Sequence, residues 1–187
     1  MTSKVGICNK ALIKLGAETI VSLTENSENS NTLLAVYDSV RDTELRKHPW
    51  NFAIKRVALA EDADPPATDE FTTQYTLPSD LVRILPGNSE SLDWKIEGRK
   101  IVTNTTGSLN IRYVARIEDT DMYDSAFVDA LACALAVEMC ERRTQSNQKA
   151  ATVREDYRAA IREARKANAF ENISDEFPED SWITARL

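Results

Sequence analysis

The stretch at residues 124–144, DSAFVDALACALAVEMCERRT, constrains the fold more than any other part of the chain. Between positions 126 and 137 only Asp129 carries a charge, and apolar residues fall on more than one face of a helix. Val128, Leu131, Ala132, Leu135 and Met139 mark one stripe at helical spacing; Phe127, Ala130, Ala134 and Val137 mark another. A helix that is apolar nearly all round needs neighbours on several sides. Its Ala and Leu content makes it the strongest helix former of the chain, while its length and interruptions rule out a bilayer span. It reads as a buried central helix, entered through a cap at residues 119–124.

The remaining elements follow in order. A helix is predicted over residues 3–15, with Val5, Cys8, Leu12 and Leu15 on one face, Lys4, Lys10 and Lys14 outside, and Gly16 as its stop. After a short apolar link at 19–23, the polar turn 24–31 is rich in capping residues. The second helix then runs to about residue 47, with Leu33, Val36, Tyr37 and Val40 inward. Pro49 ends it, because the residue before a proline is pushed out of the helical region.

Trp50, Phe52, Ile54, Val57 and Leu59 continue in an extended pattern. Residues 61–70, EDADPPATDE, carry five carboxylates but neither EF-hand spacing nor a turn glycine, which favours a solvated loop over a calcium site. Residues 75–85 and 94–103 read as strands, the second folded at a two-residue Gly98-Arg99 turn. Leu109, Ile111 and Tyr113 alternate with Asn110, Arg112 and Val114, as in a strand with a partly wet face. A fourth helix is predicted over 146–170, with Val153, Tyr157, Ala160, Ile161 and Ala164 inward. The expected fold class is therefore α+β: a four-helix bundle with a small antiparallel β unit inserted between helices two and three, and an extended C-terminal arm. Residues 1–48 and 119–170 form the discontinuous helical domain, 49–118 the β unit, and 171–187 the arm.

A hydrophobic fraction of 42% and a charged fraction of 28% describe an ordinary globular chain. The net charge of −7 argues against a protein that grips nucleic-acid phosphates over its whole surface. The first residues, MTSKVGICNKAL, carry no secretory block, so the expected setting is a reducing compartment without membrane attachment. Cys8, Cys133 and Cys140 sit at apolar helical positions with no CxxC pair, and read as small buried hydrophobes. Catalytic constellations are hard to assemble. The single histidine, His48, stands at a helix end where packing or capping is its expected role. No His/Cys cluster suggests zinc, and the five glycines make no phosphate-cradling motif. A carboxylate pair, such as Asp69 and Glu70 with Asp93 or Glu97, is the weak alternative that would fit a glycan hydrolase. No catalytic, cofactor-binding or metal-binding residue is assigned.

The most informative pattern outside the core is a juxtaposition of charge. The fourth helix carries Arg154, Arg158, Arg162 and Lys166 at four-residue steps, which repel by a few tenths of a kcal/mol per pair, roughly. Residues 171–181 follow with five acids and no base, together with Phe177, and then come Trp182 and Ile183. An acidic, aromatic-bearing arm beside a basic stripe can dock on its own helix or on another copy. Phe177, Trp182 and Ile183 are the candidate anchors, and Arg154, Arg158 and Arg162 the candidate receivers of the arm's acids.

Several motifs in order resemble one family. They are Asn9, Ala11-Leu12 and Leu15-Gly16-Ala17-Glu18 with Val21-Ser22-Leu23, then Pro49-Trp50-Asn51-Phe52 after the second helix. Tyr75, Leu77-Pro78, Asp80 and Val82-Arg83-Ile84 follow, then Ile111-Arg112-Tyr113 before a long helix, and an arm near residues 180–186. Together they span most of the chain and resemble the tail tubular protein A family, the head-to-tail adaptors (connectors) of short-tailed bacteriophages. The resemblance implies a virion structural protein without a cofactor, assembled in the bacterial cytoplasm and located at the head-tail junction. It implies a ring of about twelve copies that binds the portal protein ring and the downstream tail (nozzle) protein. DNA would pass through at ejection without specific binding, and an acidic wall would favour that by avoiding phosphate neutralisation. The alternatives are a peptidoglycan-cleaving tail enzyme using a carboxylate pair, and a generic soluble interaction module.

Overall fold

The computed structural model describes residues 2–67, 70–86, 93–144 and 146–171, apart from the side chains at 141, 143 and 144. Among the described residues it is a mixed α+β protein with four α-helices and two small antiparallel sheets. The helices are α1 (Lys4–Leu15), α2 (Glu28–Lys47), α3 (Ser125–Thr144) and α4 (Asn147–Phe170). The strands are β1 (Ile54–Leu59), β2 (Thr73–Thr76), β3 (Leu81–Leu85), β4 (Trp94–Glu97), β5 (Lys100–Thr103) and β6 (Leu109–Ala115), all between α2 and α3.

Helix ends follow the local chemistry. Ser3 and Ser27 accept the Gly6 and Ser30 amides at the starts of α1 and α2, satisfying donors that a first turn leaves without partners. Gly16, at φ 70°, closes α1: its amide donates to the Ile13 carbonyl, and the Ala17 amide reaches back to Leu12 at 3.0 Å. This left-handed stop is cheap only for glycine. At α3 the Asp124 carboxylate accepts the Ala126 and Phe127 amides at 2.8 and 3.3 Å.

Helix α3 is the centre of the molecule, as its composition requires. Every described residue of α3 from Phe127 to Ala136 except Asp129 is buried, and α1, α2 and α4 all pack on it. α2 also lies against β3 and β6, so the helices and both sheets contribute to a shared hydrophobic core. No described helix is long and apolar enough to cross a membrane.

The β region departs from the sequence reading in three places. Residues 75–85 are not one strand: β2 pairs with β5 in one sheet (β2-β5-β4), while β3 pairs with β6 in the other (β1-β6-β3). Pro78 cannot donate to a ladder, and the Leu81 amide turns back onto its carbonyl at 3.2 Å. Residues 51–53 form a 3-10 turn before β1 begins, so the extended pattern starts only at Ile54. Val114 does not face water. β6 is the middle strand of its sheet, and Tyr113, Val114 and Ala115 are buried in succession. The Gly98-Arg99 turn joins β4 and β5 as the sequence suggests, with Gly98 at φ 60° and Glu97 paired with Lys100. The acidic loop is tied down at one end: Asp62 accepts the Thr76 amide and hydroxyl and pairs with Lys100 at 3.1 Å.

Candidate assembly surfaces

Helix α4 is amphipathic because Val153, Ile161 and Ala164 recur on one face, which it buries, while α4 packs on α3. Arg154, Arg158 and Arg162 stand on the opposite, exposed face, one helical turn apart. Arg158 and Arg162 share Glu155 at 3.4 and 3.9 Å, with side chains 72% and 74% exposed. Exposed pairs of this kind contribute about 0–1 kcal/mol each, so the stripe remains a solvated basic face. The candidate anchors Phe177, Trp182 and Ile183, and the rest of the expected arm beyond Glu171, lie outside the described residues.

Inward of that stripe sits a polar cluster that helical periodicity gave no reason to expect. The Glu44 carboxylate on α2 is nearly fully buried. It accepts the Lys47 ammonium at 2.6 Å and lies 3.0 Å, at both oxygens, from the Tyr157 hydroxyl of α4. Lys47 also donates to the Tyr157 oxygen at 2.9 Å. Burial works against the Lys47 charge, but its hydrogen bonds to Glu44 and Tyr157 outweigh that and raise its pKa. Burial pushes the Tyr157 phenol up as well. The cluster borders a cavity of about 280 Å³ between α2, α3 and α4, walled on its apolar side by Val36, Val40, Ala134 and Val137.

A second polar lock joins the end of α4 to the end of α2. Asn168, buried on α4, accepts the Asn51 amide at 2.8 Å, and the Asn51 side chain donates to the Asn168 carbonyl at 3.0 Å. Because the Asn168 oxygen is committed to Asn51, its amide nitrogen faces His48 Nε2 at 3.2 Å. Nε2 therefore accepts, and the imidazole is neutral with its proton on Nδ1. Burial lowers the His48 pKa, and the nearby Arg165 of α4 and Arg83 of β3 lower it further. A base held neutral in the fold binds fewer protons folded than unfolded, so this contribution is intact above about pH 6.5 and is lost as pH falls through it. His48 is the only histidine. Unfolding free energy measured from pH 7.5 to 5.5 should accordingly fall less steeply in His48→Gln than in the parent chain.

The third feature is a groove of about 310 Å³ where β3 meets the β4–β5 hairpin. Its apolar wall is made by Leu81, Ile84, Trp94 and the exposed Ile96, and Arg46, Arg83 and Arg99 surround it. Arg46 Nη1 donates to the Val82 carbonyl at 2.5 Å and Arg99 Nη2 to the Pro78 carbonyl at 2.6 Å, which orients both toward the groove. Among the described residues none of these three arginines has an Asp or Glu within 4.0 Å. The sequence reading missed this site because its cations come from α2, β3 and a hairpin turn.

A paired charge network lies between α1, α2 and the end of β6. Arg41, buried on α2, holds Asp38 at 3.0 Å and Asp42 at 2.8 Å, and these acids reach on to Lys4 of α1 and to Arg116 beyond β6. The three cysteines are free and buried, and burial pushes the Cys8 thiol up to about 12 and the Cys133 thiol up in the same direction. Thiols held protonated in this way are poor nucleophiles. Among the described residues no three His, Cys, Asp or Glu side chains converge as they would around a metal ion. Compared with known families and with curated proteins, the sequence matches no family model and no curated relative.

Proposed function

We propose that this chain is a structural joint of a phage virion: a head-to-tail adaptor that forms a ring of about twelve copies between the portal and the tail tube. Helices α1–α4 act as a four-helix bundle whose outer faces meet neighbouring copies and the portal, and the two sheets contact the downstream tail protein. Residues 171–187 act as an extended arm, anchored by Phe177, Trp182 and Ile183, with the α4 arginines Arg154, Arg158 and Arg162 among its counter-charges. The resemblance to tail tubular protein A through Leu15-Gly16, Pro49-Trp50-Asn51-Phe52 and Leu77-Pro78 supports this reading.

One observation carries it. The residues of those motifs work as fasteners between elements rather than as a reactive centre. Gly16 stops α1, Trp50 and Asn51 lock α2 to α4, and Pro78 redirects the chain from one sheet to the other. A joint that transmits force between larger rings depends on such fasteners. The net charge of −7 suits a wall past which DNA slides without releasing counterions.

The arm gives the first test. A chain ending at Phe170, checked by circular dichroism for an intact body, should assemble rings with a portal protein from the same genome much less well than the full chain. Equal assembly would remove the arm from the mechanism. Turnover of purified peptidoglycan by the full chain would instead favour the carboxylate-pair enzyme.

A further inference from the structure

We propose that the groove between β3 and the β4–β5 hairpin is the seat of the chain's own C-terminal segment, taking its aromatic residues between the arginines. The inference deepens the arm's role in the reading above, which left its apolar anchors without a receiving site.

The groove has the composition of a receptor for an acidic, aromatic peptide. Arg46, Arg83 and Arg99 surround one apolar depression, and among the described residues no Asp or Glu lies within 4.0 Å of any of them. Guanidinium groups are suited to both partners such a peptide offers, since they pair with carboxylates and stack on aromatic faces. The sequence DEFPEDSWI at residues 175–183 supplies both, with Phe177 and Trp182 set among acids. Leu81, Ile84, Trp94 and Ile96 provide the apolar floor on which a ring can be buried.

The described chain also ends close by. Asn168 touches His48, which stands two residues beyond the groove-lining Arg46, and the Glu171 carboxylate accepts Asn51 Nδ2 at 3.3 Å. Extended chain covers roughly 3.3 Å per residue, so Phe177 has a reach of about 20 Å from Glu171 and Trp182 about 36 Å. A short tether gives the segment a millimolar local concentration, so individually weak contacts suffice to seat it. Seating within the same copy follows from that arithmetic.

The test is hydrogen exchange on the full-length chain alone, which needs neither ring nor portal. Amides of residues 175–183 should exchange at least about tenfold more slowly than in a free peptide of the same sequence, independently of protein concentration. That protection should vanish in Arg46→Gln/Arg83→Gln/Arg99→Gln and in Phe177→Ser/Trp182→Ser, while α3 amides stay protected in both. The second variant alters only the segment, so loss of the body fold cannot mimic the result. Full exchange in the parent chain would overturn the proposal. Protection that survives the groove variant, or appears only as concentration rises, would do the same by pointing to another seat or a second copy. None of these outcomes depends on whether rings assemble on a portal.

Discussion

Trp50→Ala should destabilise the protein by about 3–5 kcal/mol, among the largest effects of any single truncation. Trp50 is 1% exposed and sits where α2 ends and the β region begins. Its ring meets Phe127 of α3 edge-on at 5.0 Å, stacks with Phe52 at 6.3 Å and lies 4.7 Å from His48. Phe127 in turn contacts Tyr123 at 5.1 Å, so the cavity left by alanine would open beneath the entry to the central helix. The indole also donates to the Glu44 carbonyl at 3.0 Å in the last turn of α2, where helix carbonyls lack partners of their own. Thermal unfolding should shift downward by roughly 6–20 °C for a chain of this size. Trp50→Phe separates the two contributions: it keeps most of the ring contact and loses only the donor, for about 1–3 kcal/mol. Equal melting of Trp50→Ala and the parent would mean that the aromatic junction is not part of the core.

Glu44→Ala ranks second, at about 2–4 kcal/mol. The substitution removes a buried carboxylate but leaves Lys47 and the Tyr157 hydroxyl behind, in a pocket whose floor is apolar. Lys47 is partly exposed and can rehydrate, which keeps the cost below that of a fully buried orphaned charge. Glu44→Gln keeps an acceptor for both donors, and should lose less than half as much in urea unfolding. If alanine and glutamine behaved alike, the cluster would contribute through volume rather than through its hydrogen bonds.

These two sites illustrate what the sequence could and could not reveal. α3 was legible because a helix apolar on all faces has no stable place except the centre, and Gly16 and Pro49 punctuate the chain by backbone rules that need no tertiary context. The strand at residues 75–85 was misread because strand-forming apolar residues stand on both sides of Pro78, and only pairing assigns its halves to different sheets. Val114 resembled a wet position because alternation assumes one solvated face, which the middle strand β6 does not have. Glu44, Arg41 and Asn168 were invisible for a related reason. Charged and amide residues on a helix read as surface unless their partners are known, and those partners lie on other elements. The groove arginines were hidden in the same way, whereas the α4 arginines stood out by regular spacing within one helix.

The central claim is that the chain is a mechanical joint in a ring, and a mass measurement addresses it most directly. The purified full-length chain should be weighed by mass photometry or native mass spectrometry, first alone and then with the portal ring encoded nearest to it. Binding should be saturable and stop at about one copy per portal subunit, near twelve for a portal of that symmetry. A chain that leaves the portal mass unchanged at saturating concentration would contradict it.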